Sequence, residues 1–268
     1  MKRLKSGIKA IILATGILSN LLDAKETLSH ENLVYHTVRR GETLISITEA
    51  YKKKGFPIDN FLDIYRANKD KVTPSKILSG QRLLIPSSPN KVPIPDLERI
   101  AEQELRGKSL SGLLSKEDIV AFILAESYGN PYAINIGANR IVSRGLSQMS
   151  NLALDHLESN GEGKFNPHKI KDGVIACVRY LNLLYEREID EGVYIVTPAR
   201  LFAQYNAGIG TVDVWDKKLE KLGLTIEDMV KNYINGGNKW KIIPEVTIKL
   251  IIRQETYFNQ ISNKTFTY

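Results

Sequence analysis

The hydrophobic pattern of the chain is most regular in the stretch that begins at Ser115. This serine is followed three residues later by an acid, which is typical of a helix N-terminus. Apolar residues then recur close to the helical period, from Ile119 to Leu124, and predict a helix with one buried face. Glu126 follows Ile119 by seven residues, so its carboxyl group falls on that same face. Gly129, which precedes a proline by two residues, ends the predicted helix.

A carboxyl group on an apolar helix face needs a physical explanation, because burial of its ionised form costs free energy. One explanation is that Glu126 pairs with a base such as Arg140 or Arg144, or points outward at the helix end. The other is that desolvation raises the pKa of the carboxyl group, so that it stays protonated near neutral pH and acts as a general acid. Helical spacing alone leaves both explanations open.

A second pattern, between Tyr35 and Pro86, predicts a small unit with the order strand, helix, helix, strand. Alternating residues from Tyr35 to Val38 favour a short strand, and Gly41 makes a turn into the first helix. A second helix fits residues 58–68, and the last strand ends at Pro86.

Three prolines within residues 87–95 predict a semi-rigid linker and therefore a domain boundary. The rest of the chain, residues 96–268, is predicted as a mainly helical domain in which turn-forming residues at 134–146 favour a short hairpin or an irregular lobe. Its predicted helices, besides the one that carries Glu126, are 97–106 (capped by Asp96), 151–158, 173–185, 198–206 and 244–258. The fold class is therefore predicted to be α+β.

The first residues of the chain predict export. Four basic residues among the first nine precede a short apolar run at residues 10–18. The run is shorter than the ~20 residues that span a bilayer. We expect a secretory signal peptide at residues 1–24, although Leu22 is unfavourable for cleavage after Ala24; an uncleaved N-terminal anchor in the inner membrane is the alternative. In both cases the protein is expected in the periplasm or cell envelope.

The composition of the chain indicates which classes of partner and cofactor to expect. The 37 basic and 30 acidic side chains give a net charge of +7, which favours acidic partners such as nucleic acid, anionic lipid and wall polymers. No nucleic-acid motif accompanies this charge, so we do not expect nucleic-acid binding. Cys177 is the one cysteine, which excludes an intramolecular disulfide, and it is expected in the core. The four histidines lack metal-ligand spacing, so neither a metal nor another cofactor is expected.

Four short motifs of the second domain resemble those of the soluble lytic transglycosylases, a family with a lysozyme-like fold. Each motif alone is common by chance, but four in the family's order are specific, and the resemblance covers roughly residues 116–252. The motifs are Glu126-Ser127, the run from Asn130 to Asn135 (NPYAIN), the run from Gly145 to Met149 (GLSQM) and the run from Ala203 to Gly208 (AQYNAG).

This resemblance assigns chemistry to individual residues. It implies that Glu126 protonates the bond between N-acetylmuramic acid and N-acetylglucosamine, then acts as a base on the muramic C6 hydroxyl to give a 1,6-anhydro product. No second carboxylate is needed, and Asp155 and Asp172 lie outside the motifs. The implied substrate contacts are Ser127, Asn135, Gln148, Met149, Tyr205 and Asn206.

The last predicted helix departs from the family pattern. Val246 and Leu250 stand where the family usually carries Glu and Tyr, and that Tyr often borders the active site. Tyr257 would replace it only under a shifted alignment. Gly173 and Cys177 also differ from the usual Asn and Gly, at positions that concern packing rather than chemistry.

Residues 35–86 resemble a LysM module, which has the order βααβ. The resemblance rests on the start at Tyr35, the turn from Gly41 to Leu44, Asn68, and the run from Gly80 to Pro86. It implies binding to glycans that contain N-acetylglucosamine, in a groove between the Gly41 turn and the loop that ends at Gly80. The implied binding residues are Gly41, Glu42, Thr43, Leu44, Asn68, Ile77 and Gly80. For the single side chains, turn geometry and core packing are the competing roles.

The expected function is that of a peptidoglycan lytic transglycosylase with a LysM module that binds glycan strands, assumed to be a monomer. Three alternatives stay open: a lysozyme-type hydrolase that uses water as nucleophile, a non-catalytic protein that binds peptidoglycan, and a specialised enzyme of a secretion or pilus apparatus.

Overall fold

A computed structural model describes residues 33–87, 91–137, 140–193, 196–235 and 242–265. The predicted signal peptide or anchor, residues 1–24, lies outside the described residues. The described chain is mixed and mostly helical with two small antiparallel sheets, which agrees with the predicted α+β class. None of the described helices combines the length and the apolar character needed to cross a bilayer.

Residues 33–87, the N-terminal unit, have the predicted order of strand, helix, helix and strand. The elements are β1 (Val34–Thr37), α1 (Leu44–Lys52), α2 (Phe61–Arg66) and β2 (Arg82–Ile85). Strands β1 and β2 pair antiparallel, with Val34 opposite Ile85. Thr43 caps α1 and Asn60 caps α2. The second helix is shorter than the predicted 58–68, because Asn60 begins it with a side-chain cap.

The remaining residues form a helical domain with one small sheet. Its elements are α3 (Ile94–Leu105), α4 (Lys116–Ser127), β3 (Ile134–Ile136), β4 (Val142–Arg144), β5 (Met149–Ser150), α5 (Asn151–Ser159), α6 (Ile170–Asp190), α7 (Pro198–Ala207), α8 (Ile209–Glu220), α9 (Ile226–Ile234) and α10 (Glu245–Ser262). The lobe expected near residues 134–146 is the three-stranded sheet β3-β4-β5.

Helix α4 lies at the centre of this domain. Ser115 caps it through Asp118, as predicted. Every residue from Ile119 to Ala125 is buried, so the prediction of a single buried face is wrong. Helices α3, α6 and α10 pack around it, and a helix that is apolar on all sides is stable in such a position. The Phe122 ring stacks on Phe202 of α7 at 4.7 Å between centroids.

Helix α3 begins inside the predicted linker of residues 87–95. Ile94 and Pro95 already belong to α3, which begins after Pro93, so the predicted start at Leu97 with an Asp96 cap is wrong. Proline fits the first turn of a helix because the amide hydrogens there have no intrahelical partner. Val92 is buried and its N–H donates to the Gly129 carbonyl at 3.0 Å.

Two other helices are longer than predicted, because the apolar pattern of the sequence indicates the buried part of a helix rather than its full length. Helix α6 runs from Ile170 to Asp190, well beyond the predicted 173–185, and α10 continues to Ser262. Helix α7 ends at Ala207, one residue beyond the predicted 198–206. The chain then turns at Gly208 (φ 82°) and starts α8 at the next residue. Helices α8 and α9 were not predicted individually.

Candidate active site

Glu126 lies in the last turn of α4, where the chain leaves the core. Helix α4 ends at Tyr128, whose φ of 57° is left-handed, and Gly129 follows with a φ of 75°. The Glu126 side chain therefore faces a cavity of about 1250 Å³. The sheet, the helices α5 and α6, the end of α7 and one face of α10 supply the other walls. This volume exceeds the roughly 300–1,000 Å³ that is typical of small-molecule sites in proteins.

Desolvation dominates the electrostatics of Glu126. Its Oε1 is buried and has no hydrogen-bond partner among the described residues. Burial raises the pKa of the carboxyl group to about 8, although a hydrogen bond with Asn206 and the positive charge of Arg253 act in the opposite direction. At neutral pH the group is therefore mostly protonated and can donate a proton.

The alternative of a salt bridge does not hold in the described structure. Arg144 pairs with Asp70 at 2.8 Å, and no base of the described residues lies within salt-bridge distance of Glu126. Arg253 of the cavity wall lowers the pKa of Glu126 by its charge, but its Nη1 donates to the carbonyl of Ala125 at 3.3 Å. The raised pKa and the cavity together favour the general-acid explanation.

Tyr205 and Asn206 end α7 beside this carboxyl group. Asn206 lowers the pKa of Glu126, and its amide nitrogen donates to the Phe202 carbonyl at 3.0 Å. The Tyr205 hydroxyl instead donates to the Ser147 carbonyl at 2.8 Å and contacts Met149 Sδ. Tyr205 thus fixes the loop between β4 and β5.

Two further contacts hold these residues in place. Arg200 Nε donates to the buried Glu188 at 2.6 Å, which fastens α7 to α6. The Tyr205 ring packs edge-to-face on Phe122, with centroids 4.7 Å apart, and on Tyr180 at 5.4 Å. Burial raises the pKa of the Tyr205 hydroxyl, so it remains a neutral donor.

The loop from Gly145 to Met149 forms the opposite wall. Gln148 has a left-handed φ of 49°, and its amide nitrogen donates to the carbonyls of Gly145 (2.8 Å) and Ala133 (3.1 Å). Ser147 Oγ donates to the Gly173 carbonyl at 3.0 Å, which joins the loop to α6. These bonds shape the wall, while Gln148 and Met149 line the cavity.

The structure brings six of the seven sequence-predicted residues into one cavity: Glu126, Asn135, Gln148, Met149, Tyr205 and Asn206. Ser127 is not among the lining residues. Its hydroxyl donates to the Ile123 carbonyl of the same helix at 3.2 Å, so it belongs to the helix end. Leu250 and Val246 do line the cavity, whereas Tyr257 packs near Tyr128, with ring centroids 6.3 Å apart, and does not replace the missing aromatic residue.

Sequence reasoning missed the polar face that α10 turns to the cavity. Glu245, Lys249 and Arg253 follow one another every four residues, a spacing that places side chains on one helix face. Glu245 pairs with Lys249 and accepts a hydrogen bond from Tyr233 at 2.8 Å. The Lys249 ammonium, helped by that hydrogen bond, lowers the pKa of Glu245, so this second carboxyl group is ionised.

The two acids outside the family motifs do not reach the cavity. Asp155 is exposed on α5, and Asp172 Oδ2 accepts from the backbone N–H of Asn166 at 3.0 Å. Neither is among the lining residues. In the described part of the chain, Glu126 and Glu245 are therefore the two carboxyl groups of this cavity.

In the N-terminal unit, the two predicted binding loops lie side by side. The Gly80 N–H donates to the Val38 carbonyl at 2.8 Å, and the Val38 N–H donates to the Gln81 carbonyl at 2.9 Å. Gly41 and Gly80 both have a φ of 86° and open space around Cα, so their backbones are accessible.

The other predicted side chains of this unit have internal partners. Glu42 accepts from the Arg39 N–H at 2.6 Å and pairs with His36 at 2.8 Å; these bonds lower the pKa of its carboxyl group. Asn68 is buried and exchanges two hydrogen bonds of 2.8 Å with the Leu84 backbone. Three more residues serve the cap and the core: Thr43 caps α1, Leu44 is buried and Ile77 packs against the core.

A comparison of the chain with protein-family models and with curated proteins finds no match. Among the described residues, no group of three or more His, Cys, Asp or Glu side chains is arranged to hold a metal ion. A functional conclusion therefore rests on the cavity and its residues.

Proposed function

We propose that the chain is a peptidoglycan lytic transglycosylase that cleaves the MurNAc-β-1,4-GlcNAc bond and forms a 1,6-anhydro-MurNAc product. The observation that carries this proposal is the desolvated carboxyl group of Glu126, whose pKa is raised to about 8 in a cavity large enough for a glycan. The arrangement of Asn135, Gln148, Met149 and Asn206 around it supports the resemblance to this family.

The chemistry requires one group that first gives and then takes a proton. Glu126 donates its proton to the glycosidic oxygen as the bond to the muramic C1 breaks. The resulting carboxylate then accepts the proton of the muramic C6 hydroxyl as this oxygen attacks C1, which restores the acid. The internal nucleophile has a large proximity advantage over water. Asn206 and Arg253 both favour the ionised form of Glu126, so they stabilise the carboxylate between the two steps.

A lysozyme-type hydrolase is the second candidate, because the cavity holds another carboxyl group. Hydrolases use such a group to activate water or to bind C1. Glu245 is ionised as that role requires, but it is about half exposed and paired with Lys249. We therefore favour the mechanism with one carboxyl group. Glu245→Gln separates the two, since it leaves a transglycosylase active and disables a hydrolase that depends on Glu245.

The N-terminal unit fits a LysM module in this proposal. Its βααβ order, its antiparallel strands and the two adjacent loops at Gly41 and Gly80 support glycan binding through loop backbones. A binding module on the same chain raises the local concentration of wall glycan at the cavity. An exported monomer in the periplasm or cell envelope, acting on peptidoglycan strands without a cofactor, is part of the same proposal.

The test of this function is digestion of purified peptidoglycan by the purified protein, with the fragments separated and weighed. Fragments that are lighter by one water than hydrolysis products support the transglycosylase. Reducing muramic ends would instead identify a hydrolase. Sedimentation of the protein with the sacculi without release of fragments would identify a non-catalytic binding protein.

The pH dependence of cleavage offers a separate prediction. Because Glu126 must be protonated, the rate is expected to fall as pH rises through about 8. Arg253→Met removes a positive charge that lowers the pKa of Glu126. The fall in rate at high pH, which is the basic limb of the pH profile, should therefore move to higher pH. Arg253→Lys keeps the charge and is the control. An unchanged limb in Arg253→Met, or a shift to lower pH, would contradict this assignment.

A further inference from the structure

The N-terminal unit contacts the cavity wall directly. Asp70, in the loop after α2, forms a salt bridge of 2.8 Å with Arg144 of β4. The two side chains are 7% and 21% exposed, so this pair lies largely inside the contact. The Asp70 Oδ1 is buried and has no hydrogen-bond partner among the described residues, whereas its Oδ2 accepts a hydrogen bond from Arg144, whose positive charge offsets that of the carboxylate.

Arg144 lies on the sheet that forms one side of the cavity. Its neighbour Ser143 lines the cavity, and successive side chains of a strand point to opposite faces. Arg144 therefore meets the N-terminal unit on the face turned away from the cavity. The same guanidinium also donates to Asn151 Oδ1, at 3.0 Å, at the start of α5. One side chain thus joins the N-terminal unit, the sheet and α5.

A second contact links the N-terminal unit to the cavity wall through Tyr132 and the residue that follows it. Tyr132 is 2% exposed and packs against Ala67 and Leu84 of the N-terminal unit, while its hydroxyl oxygen accepts from the Ser87 N–H at 3.1 Å. The next residue, Ala133, accepts hydrogen bonds from the Gly145 N–H (2.8 Å) and from the Gln148 amide (3.1 Å). Gln148 lines the cavity.

We propose that the N-terminal unit holds the sheet β3-β4-β5 in its working position, and that Asp70 and Arg144 are positioning residues for the cavity. A unit that served as a simple tether would leave a solvated linker and no buried charge pair. Here a largely buried ion pair and a buried apolar contact fix the unit to the wall. The ion pair ends next to the lining residue Ser143, and the apolar contact ends next to Ala133, which is hydrogen-bonded to the lining residue Gln148. The expected consequence is that loss of this contact loosens the sheet before it affects the helical core.

Amide hydrogen exchange on the full chain tests this directly. Asp70→Asn is expected to speed exchange about tenfold in residues 133–150, including the Gly145 amide, while α6 keeps its protection. Asp59→Asn, an exposed position in the same unit, is the matched control and should change nothing. Unchanged exchange in residues 133–150, or equal acceleration in α6, would overturn the proposal, because the pair would then contribute nothing specific or only overall stability.

A double-mutant cycle shows whether the two residues act as a pair. Arg144→Met should loosen the same segment, and adding Asp70→Asn to it should cause little further change, since the partner is already lost. Additive effects would contradict a shared role. These exchange measurements need no substrate, so they are independent of the proposed chemistry.

The kcat measured with a short soluble glycan should not change if the N-terminal unit only binds the wall. Asp70→Asn is expected to lower kcat several-fold with little change in KM, while sedimentation with sacculi stays unchanged. Arg144→Lys, which keeps the charge, should recover part of the kcat that Arg144→Met loses. A loss confined to sacculus binding would show that the unit acts as a tether only.

Discussion

Glu126→Gln is expected to lower the rate of peptidoglycan cleavage by about 10³-fold. The amide has nearly the shape of the carboxyl group but cannot protonate the leaving oxygen or accept the C6 hydroxyl proton. The measurement is the release of soluble fragments from purified peptidoglycan at neutral pH. Glu255→Gln is the matched control, because Glu255 on the same domain also has a pKa raised by burial but is not a lining residue. Cleavage retained by Glu126→Gln would remove Glu126 from the mechanism.

The same substitution is expected to stabilise the fold. An unfolded Glu loses its proton above about pH 4.5, whereas folded Glu126 keeps it until about pH 8. In this window the folded state binds more protons, so the free energy of unfolding falls as pH rises. The glutamine variant does not titrate, and its advantage should grow across the window to at most about 5 kcal/mol. Equal pH dependence of thermal unfolding in both proteins would show that the carboxyl group is not desolvated.

Gly145→Ala is expected to lower the free energy of unfolding by more than about 3 kcal/mol. Gly145 has a φ of 77°, which costs a residue with a side chain about 1 kcal/mol. A Cβ atom at this position would also collide with the backbone carbonyl of Pro167, which cannot move without shifting the chain that enters α6. Because the Gly145 N–H and carbonyl both hold the cavity wall, cleavage should fall as well. Urea denaturation measures the stability change.

Gly161→Ala isolates the cost of the backbone angle. Gly161 has a φ of 76°, almost that of Gly145, but a Cβ atom there meets nothing within 4 Å. The expected loss is about 1 kcal/mol. If the two variants lost the same free energy, the contact with Pro167 would not be what requires glycine at position 145.

Local sequence signals predicted the parts of the site that depend on neighbours along the chain. The cap at Ser115, the apolar period and the break after Glu126 defined a helix that ends in a carboxyl group, and the structure has that helix. Gly208 likewise marked the end of α7 beside Asn206. These signals act within a few residues, so they can be recognised without tertiary structure.

The other features of the fold and of the site depend on packing between segments that are distant in the sequence. The apolar period of α4 could not show that the helix is buried on all sides, because its burial depends on the helices that pack against it from other parts of the chain. Arg253 acts on Glu126 from 127 positions further along the chain, and Asp70 meets Arg144 across 74 positions. The role of Tyr205 also follows from its contact with Ser147, which only the folded loop creates.

We propose that Glu126 cleaves glycan without a water nucleophile. Digestion of peptidoglycan in water labelled with heavy oxygen, followed by mass measurement of the fragments, tests it most directly. The mechanism predicts that the new muramic ends carry no label, because the C6 oxygen of the same sugar closes the ring. Label in every new end at the time of cleavage would contradict it and would identify water as the nucleophile.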